Sequence, residues 1–143
     1  MMCTGKYRKP VWWTLGSHES KICGKGRMYM ARIVVGNRTY FLQLEDNETA
    51  RAFSALFPLT LEMTELNGNE KYHNLLGPLP CAPEIVNHIS AGDVMLFGDR
   101  CVVVFYKSFA TPYTYTRLGH IVDPQLLSEA VGEGSVQVHL EEP

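Results

Sequence analysis

The sequence predicts a mainly β protein: a closed β-barrel with two short capping helices. Three observations carry this. About seven or eight short segments are β-branched or alternate apolar with polar residues, the period of a strand. Turn residues separate them at short intervals, as in barrels and sandwiches. Two isolated amphipathic stretches have helical spacing, and each can cover one open end. Closure also removes exposed strand edges, which favours a barrel over a sandwich.

The elements follow in order. MYMARIVVG, from Met28, is apolar with Arg32 as its one charge, and Gly36-Asn37 is a tight-turn dipeptide. TYFLQLE then places Tyr40, Leu42 and Leu44 on one face and Phe41, Gln43 and Glu45 on the other, completing a hairpin. A helix is expected next. Asp46 or Asn47 can cap it, Glu48 suits its first turn, Ala50, Phe53, Leu56 and Phe57 share a face, and Pro58 ends it. LTLEMT turns Leu59, Leu61 and Met63 inward, and NGNE (Asn67 to Glu70) reads as a turn.

Residues 71–92 read as loop-rich, with Pro78, Pro80 and Pro83 close together and a short irregular strand near Ile85–Ile89. VMLFG and CVVVFY are apolar strands joined at Asp99-Arg100, and runs of this kind suit strands buried on both sides. Tyr115 to Val122 reads as a strand with Leu118 and Val122 on one side. Asp123 is expected to cap a second helix starting at Pro124, with Leu127, Ala130 and Val131 buried and Gly132 closing it. SVQVHLE ends the chain with Val136, Val138 and Leu140 inward and His139 outward.

The chain of 143 residues suits one domain, and a net charge of −2 gives no general attraction to nucleic acid or anionic membrane. The charge is uneven. Residues 1–27 carry six basic side chains against one acidic, show no sustained period and hold both tryptophans, Trp12 and Trp13. A basic aromatic arm for nucleic acid or membrane and a transit peptide are alternatives to a poorly ordered extension; Met28 and Met30, where regular structure is expected to begin, favour the extension. Residues 28–143 form the domain. No run is long and apolar enough to span a bilayer or serve as a signal-peptide centre. The four cysteines form no C-x-x-C pair and are expected as free thiols in the cytoplasm.

At the level of motifs a family resemblance emerges. LEDNETARAFSAL, with Asp46, Thr49-Ala50 and Phe53, resembles the early strand and helix of the cyclophilins. AGDVMLF followed by VVVFY resembles their central strands, and GHIVDPQLLSEAVGEGSVQVHLE their ending. LNGNEKY, AGDVMLFGD, FYKSF and YTYTRLG resemble stretches shared by small bacterial cyclophilin-like β-barrel proteins of uncharacterised function. The resemblance spans residues 28–142. It implies that one helix plugs each mouth of the barrel. It does not carry over the isomerase machinery. Prolyl isomerases of this family place an arginine in a Phe-His-Arg stretch and line the proline pocket with a Trp and a His. Here LGPLPCAPEIVNHIS has no arginine, Tyr113 and Tyr115 stand where no Trp is found, and His120 follows Gly119 rather than preceding it. Phe105 is the one match to an aromatic wall residue.

The candidate binding residues are the rings Phe97, Phe105, Tyr106, Phe109, Tyr113 and Tyr115, since tyrosine offers an apolar body with a polar tip. Phe97 and Phe105 read more simply as core. Arg100, Arg117, Lys107 and Lys71 are candidates for an anionic ligand, against the reading of solvated charges paired with Asp99 or Glu70. Asn67, Asn69 and Glu70 are candidates for a pocket rim, against an ordinary turn. No metal or cofactor motif is present among the histidines and cysteines. Cys101 reads as a buried, inert thiol, although a nearby arginine would lower its pKa. The expected function is binding of a peptide segment or small molecule in an aromatic cleft without efficient prolyl isomerisation. The alternative is an isomerase whose positive group is Arg100 or Arg117.

Overall fold

The computed structural model describes residues 29–143. The basic extension expected over residues 1–27 lies outside them. Eleven strands and two helices follow in order: β1 (Tyr29–Val35), β2 (Arg38–Leu44), α1 (Glu48–Ser54), β3 (Leu59–Leu66), β4 (Glu70–Asn74), β5 (Glu84–Ile85), β6 (His88–Ile89), β7 (Asp93–Phe97), β8 (Cys101–Phe105), β9 (Phe109–Ala110), β10 (Thr114–Val122), α2 (Leu127–Val131) and β11 (Val136–Glu141).

Eight of these strands close an antiparallel barrel in the order β2-β1-β11-β3-β4-β8-β7-β10, and β10 pairs back onto β2. The expected closed barrel is therefore the observed one. The closing seam explains Gly119. A Cβ there would lie 2.6 Å from the Gln43 carbonyl oxygen on β2, so only glycine lets the two strands meet. The β1–β2 turn has Gly36 at φ 61°, the left-handed value its first central position requires.

The alternation read from sequence sorts the interior as expected. Ile33, Leu42, Leu61, Met63, Val138 and Leu140 are buried in one interior cluster. Both helices feed it: Ala52 and Phe53 from α1, Leu127 and Val131 from α2. The side chain of Asn47 caps α1, its Oδ1 accepting from the Ala50 N–H at 2.7 Å, while its Nδ2 donates to the Arg117 carbonyl of β10. One helix starts at the far end of β2; the other lies beside the β1–β2 turn, where the Ala130 carbonyl approaches Gly36. They thus sit at opposite mouths.

Several local expectations are corrected. α1 stops at Ser54, so Leu56 is exposed and only Phe57 reaches back, edge-on to Phe53 at 5.2 Å. Residues 70–74, read as turn and loop, form β4 and pair with β3 and β8. In β10 the register shifts between Arg117 and Gly119, so Ile121 is buried and Val122 is exposed. Asp123 does not cap α2: Leu126, at φ 61°, holds the cap position and makes no side-chain cap bond. Gly132 closes α2 as expected. Cys81 is disulfide-bonded, so the expectation of free thiols fails there; Cβ proximity decides bridging, and sequence spacing does not report it. Cys101 is free. Among the described residues no helix is long and apolar enough to cross a membrane.

Candidate functional site: an aromatic cavity on the barrel flank

Strands β7 and β8 are buried on both faces, and their neighbours β4 and β10 in part. Val102, Val104 and Tyr106 belong to the interior cluster. Met95, Val103, Phe105 and Tyr115 belong to a second cluster on the outer face, with Val86 and Ile89 of the overlying loop. The short strands β6 and β9 pair with each other and hold that loop over the flank. This arrangement leaves a cavity of about 490 Å³ between the loop and the sheet.

Five aromatic residues stand among the fourteen that line it. Phe97 from β7, Phe109 from β9, Tyr113 and Tyr115 from the final loop and β10, and Tyr72 from β4 all line it. The rings brace one another: Phe97 meets Tyr113 edge-on at 6.1 Å and Tyr115 at 5.6 Å. Phe105 lies fully buried beneath, 5.7 Å from Phe109 and 5.5 Å from Tyr115. It supports the wall without lining it. Tyr113 is 60% exposed and forms the accessible lip.

The polar rim comes from the β3–β4 turn. Asn67 and Gly68 both adopt positive φ, and the Asn69 N–H donates to the Leu66 carbonyl at 3.3 Å. The turn carries Asn67, Asn69 and Glu70 to the cavity. Among the described residues Glu70 is the one charged side chain on the wall, and it makes no hydrogen bond or ion pair. Only 8% exposed, its carboxyl is pushed above the usual carboxylate range by burial and by the charge of Glu65. The buried Oδ1 of Asn69 also has no partner among the described residues. Burial raises the Cys101 thiol to about 11, with the charge of Glu70 adding to it, so this cysteine is not an activated nucleophile.

The other candidates lie elsewhere. Tyr106 points inward, its hydroxyl donating to Glu65 Oε1 at 2.7 Å. Arg100 pairs with Asp99 at 3.2 Å and Arg117 with Glu84 at 3.4 Å; neither lines the cavity. Lys71 is fully buried against Glu65 at 2.9 Å, donates to the carbonyls of Gly132 and Gly134, and sits 5.5 Å from the Tyr106 ring centre. Lys107 is exposed, away from the cavity. Sequence reasoning thus names Phe97, Phe109, Tyr113, Tyr115, Asn69 and Glu70 among the wall residues and misses Leu66, Tyr72, Val103 and Thr111. The signal for Tyr72 was its spacing of two from Glu70, which puts both on one strand face.

A barrel closed by two helices, with an aromatic cavity outside its wall, defines the class. The family profile described as the cyclophilin-like family matches residues 33–141, and the chain belongs to that family. A solved structure similar to it is that of a hypothetical protein from Archaeoglobus fulgidus. It is 17% identical with a TM-score of 0.55, over 84% of this chain and 98% of that one, a likeness of fold. No curated protein matches the sequence.

Proposed function

We propose that this cyclophilin-like domain binds a peptide segment or small molecule in the flank cavity and does not efficiently isomerise prolyl bonds. The observation that carries the reading is the open, ring-walled cavity of about 490 Å³, a size suited to one side chain or a small ligand. Braced rings offer apolar contact with little ordering cost on binding. The isomerase alternative needs a positive group at the ligand, and no specific contact favours it, since Arg100 and Arg117 are paired outside the wall. A cytoplasmic setting belongs to the same proposal, with the Cys81 bridge weighing against a strictly reducing one.

Two measurements test it. In a fragment titration followed by NMR, hits should shift amides at 69–72 and 110–113 and lose that response in Tyr113→Ala. Hits clustering at another surface overturn the cavity assignment. In a coupled assay on a proline tetrapeptide, turnover should stay near the uncatalysed rate. Robust catalysis abolished by Tyr113→Ala overturns the second half of the proposal.

A further inference from the structure

Residues 70 and 71 stand side by side on β4 and carry opposite charges into opposite faces of the barrel wall. Lys71, fully buried, has four partners: the Glu65 carboxylate, two carbonyls and a ring face. Glu70, more than nine-tenths buried, has none among the described residues and faces the cavity. Its carboxylate oxygens are not among the sealed unpaired atoms, so they open on the cavity, where a ligand's donor would take the place of water. On the same rim the sealed Oδ1 of Asn69 is an acceptor that also lacks a donor among the described residues.

The surroundings specify what kind of donor fits. Five aromatic rings line the wall, and ring faces are electron-rich and attract cations. No Lys or Arg among the described residues lines it, so an anion would meet only repulsion from Glu70. Among the described residues no three His, Cys, Asp or Glu side chains are grouped to hold a metal ion, so the donor set suits an organic cation better than a metal. The potential of Glu70 reaches its neighbours: after burial, its charge is among the causes that raise Cys101, Tyr106 and Tyr115.

Resting on the reading of the cavity as a ligand site, we infer that its ligand presents an organic cation, an ammonium or guanidinium group, with Glu70 as counter-ion and the rings of Tyr72, Phe97 and Tyr113 around it. A lysine or arginine side chain of a peptide and a free arylalkyl amine share this chemistry.

The test compares two probes of nearly equal shape, 2-phenylethylammonium and neutral 2-phenylethanol, by NMR titration of the full chain. The wild-type protein should bind the cation at least tenfold more tightly, with shifts at 69–72. Glu70→Gln should bring the two affinities together, chiefly by weakening binding of the cation. Tyr113→Ala should weaken both. Equal affinity of the two probes for the wild type overturns the inference but leaves the cavity as a ligand site, and so does a preference that survives Glu70→Gln. Binding of neither probe overturns it outright. The wild-type comparison stands even if Glu70→Gln does not fold. A dipeptide amide ending in lysine, set against its norleucine counterpart, then separates the sources: selectivity for the lysine form assigns a peptide ligand, and selectivity confined to the amine assigns a small one.

Discussion

The interior of the barrel and its flank are built on the same strands and differ in what they leave unfinished. Inside, the side chains are mainly aliphatic and sealed, and the buried cation Lys71 is fully bonded. Outside, the cluster is ringed with aromatics, opens to a cavity, and keeps a largely buried carboxylate, Glu70, without a partner among the described residues. A satisfied buried charge holds a structure together. An unsatisfied one beside open space is a place where a ligand completes the bonding. Position on β4 decides which is which, since Glu70 and Lys71 differ by one step of a period-two strand.

The comparison can be broken most forcefully from the interior. Phe53 is fully buried in the interior cluster and braced by Phe57. Phe53→Ala should cost about 3–5 kcal/mol in denaturant unfolding, the range for truncating a buried phenylalanine. If α1 merely rested on the barrel as an ornament, the loss would stay under about 1 kcal/mol, and the account of the helix as a plug would fail.

Alkaline titration addresses both regions at once. Tyr106, inside, is raised from 10.0 to about 12 by burial first, then by its bond to Glu65 and the charges of Glu65 and Glu70. Cys101, on the flank, is raised from 9.0 to about 11 by burial and then by Glu70. Both groups are held neutral in the folded state more strongly than in the unfolded chain. The native state therefore binds more protons between each pair of values, and stability must fall as pH rises there. The contribution is complete below pH 9 and is lost over pH 9–11 for Cys101 and 10–12 for Tyr106. Tyr40 and Tyr115 shift in the same direction. Unfolding midpoints measured from pH 8 to 11.5 should decline, and Tyr106→Phe should flatten the upper part of the slope while Cys101→Ala flattens the lower. A level profile through pH 11.5 would mean that neither group is shielded as described.

These contrasts also show which parts of the molecule could be read from residues alone. Strands such as β2 and β11 were legible because one face is apolar and the other is not: Tyr40 and Leu42 are in and Phe41 is out, Val136 and Val138 are in and Gln137 is out. β4 was hidden because EKYHN carries a lysine inward and a carboxylate toward the cavity, so no hydrophobic period marks it. The turn that aims Glu70 was recognised, but its burial comes from pairing with β8, where Glu70 lies opposite Phe105. Sequence-distant register of that kind leaves no local trace. The same limit applies to the rings. Phe109, Tyr113 and Tyr115 are clustered in sequence, whereas Tyr72 joins them only through the sheet. Phe105 and Tyr106 are adjacent in sequence, yet strand alternation sends one beneath the cavity floor and the other into the barrel.

The smallest expected effect on stability separates the two regions most cleanly. Tyr113 is mostly exposed, and among the described residues its one ring contact is with Phe97 on the cavity wall. Its backbone N–H donates to Thr111 Oγ1 at 3.2 Å, a bond that alanine would keep. Tyr113→Ala should therefore change unfolding free energy by no more than about 0.5 kcal/mol, as for surface positions outside special features. The same substitution removes the lip over the cavity, so ligand affinity should fall about tenfold or more if the ring covers the bound group. A variant that loses stability as Phe53→Ala does would place Tyr113 in the structural set and leave the flank as a second core. A variant with intact stability and intact binding would leave the lip without a role. Only the dissociated pair of outcomes, stability kept and affinity lost, supports a division between a sealed interior that folds the chain and a flank that recognises something.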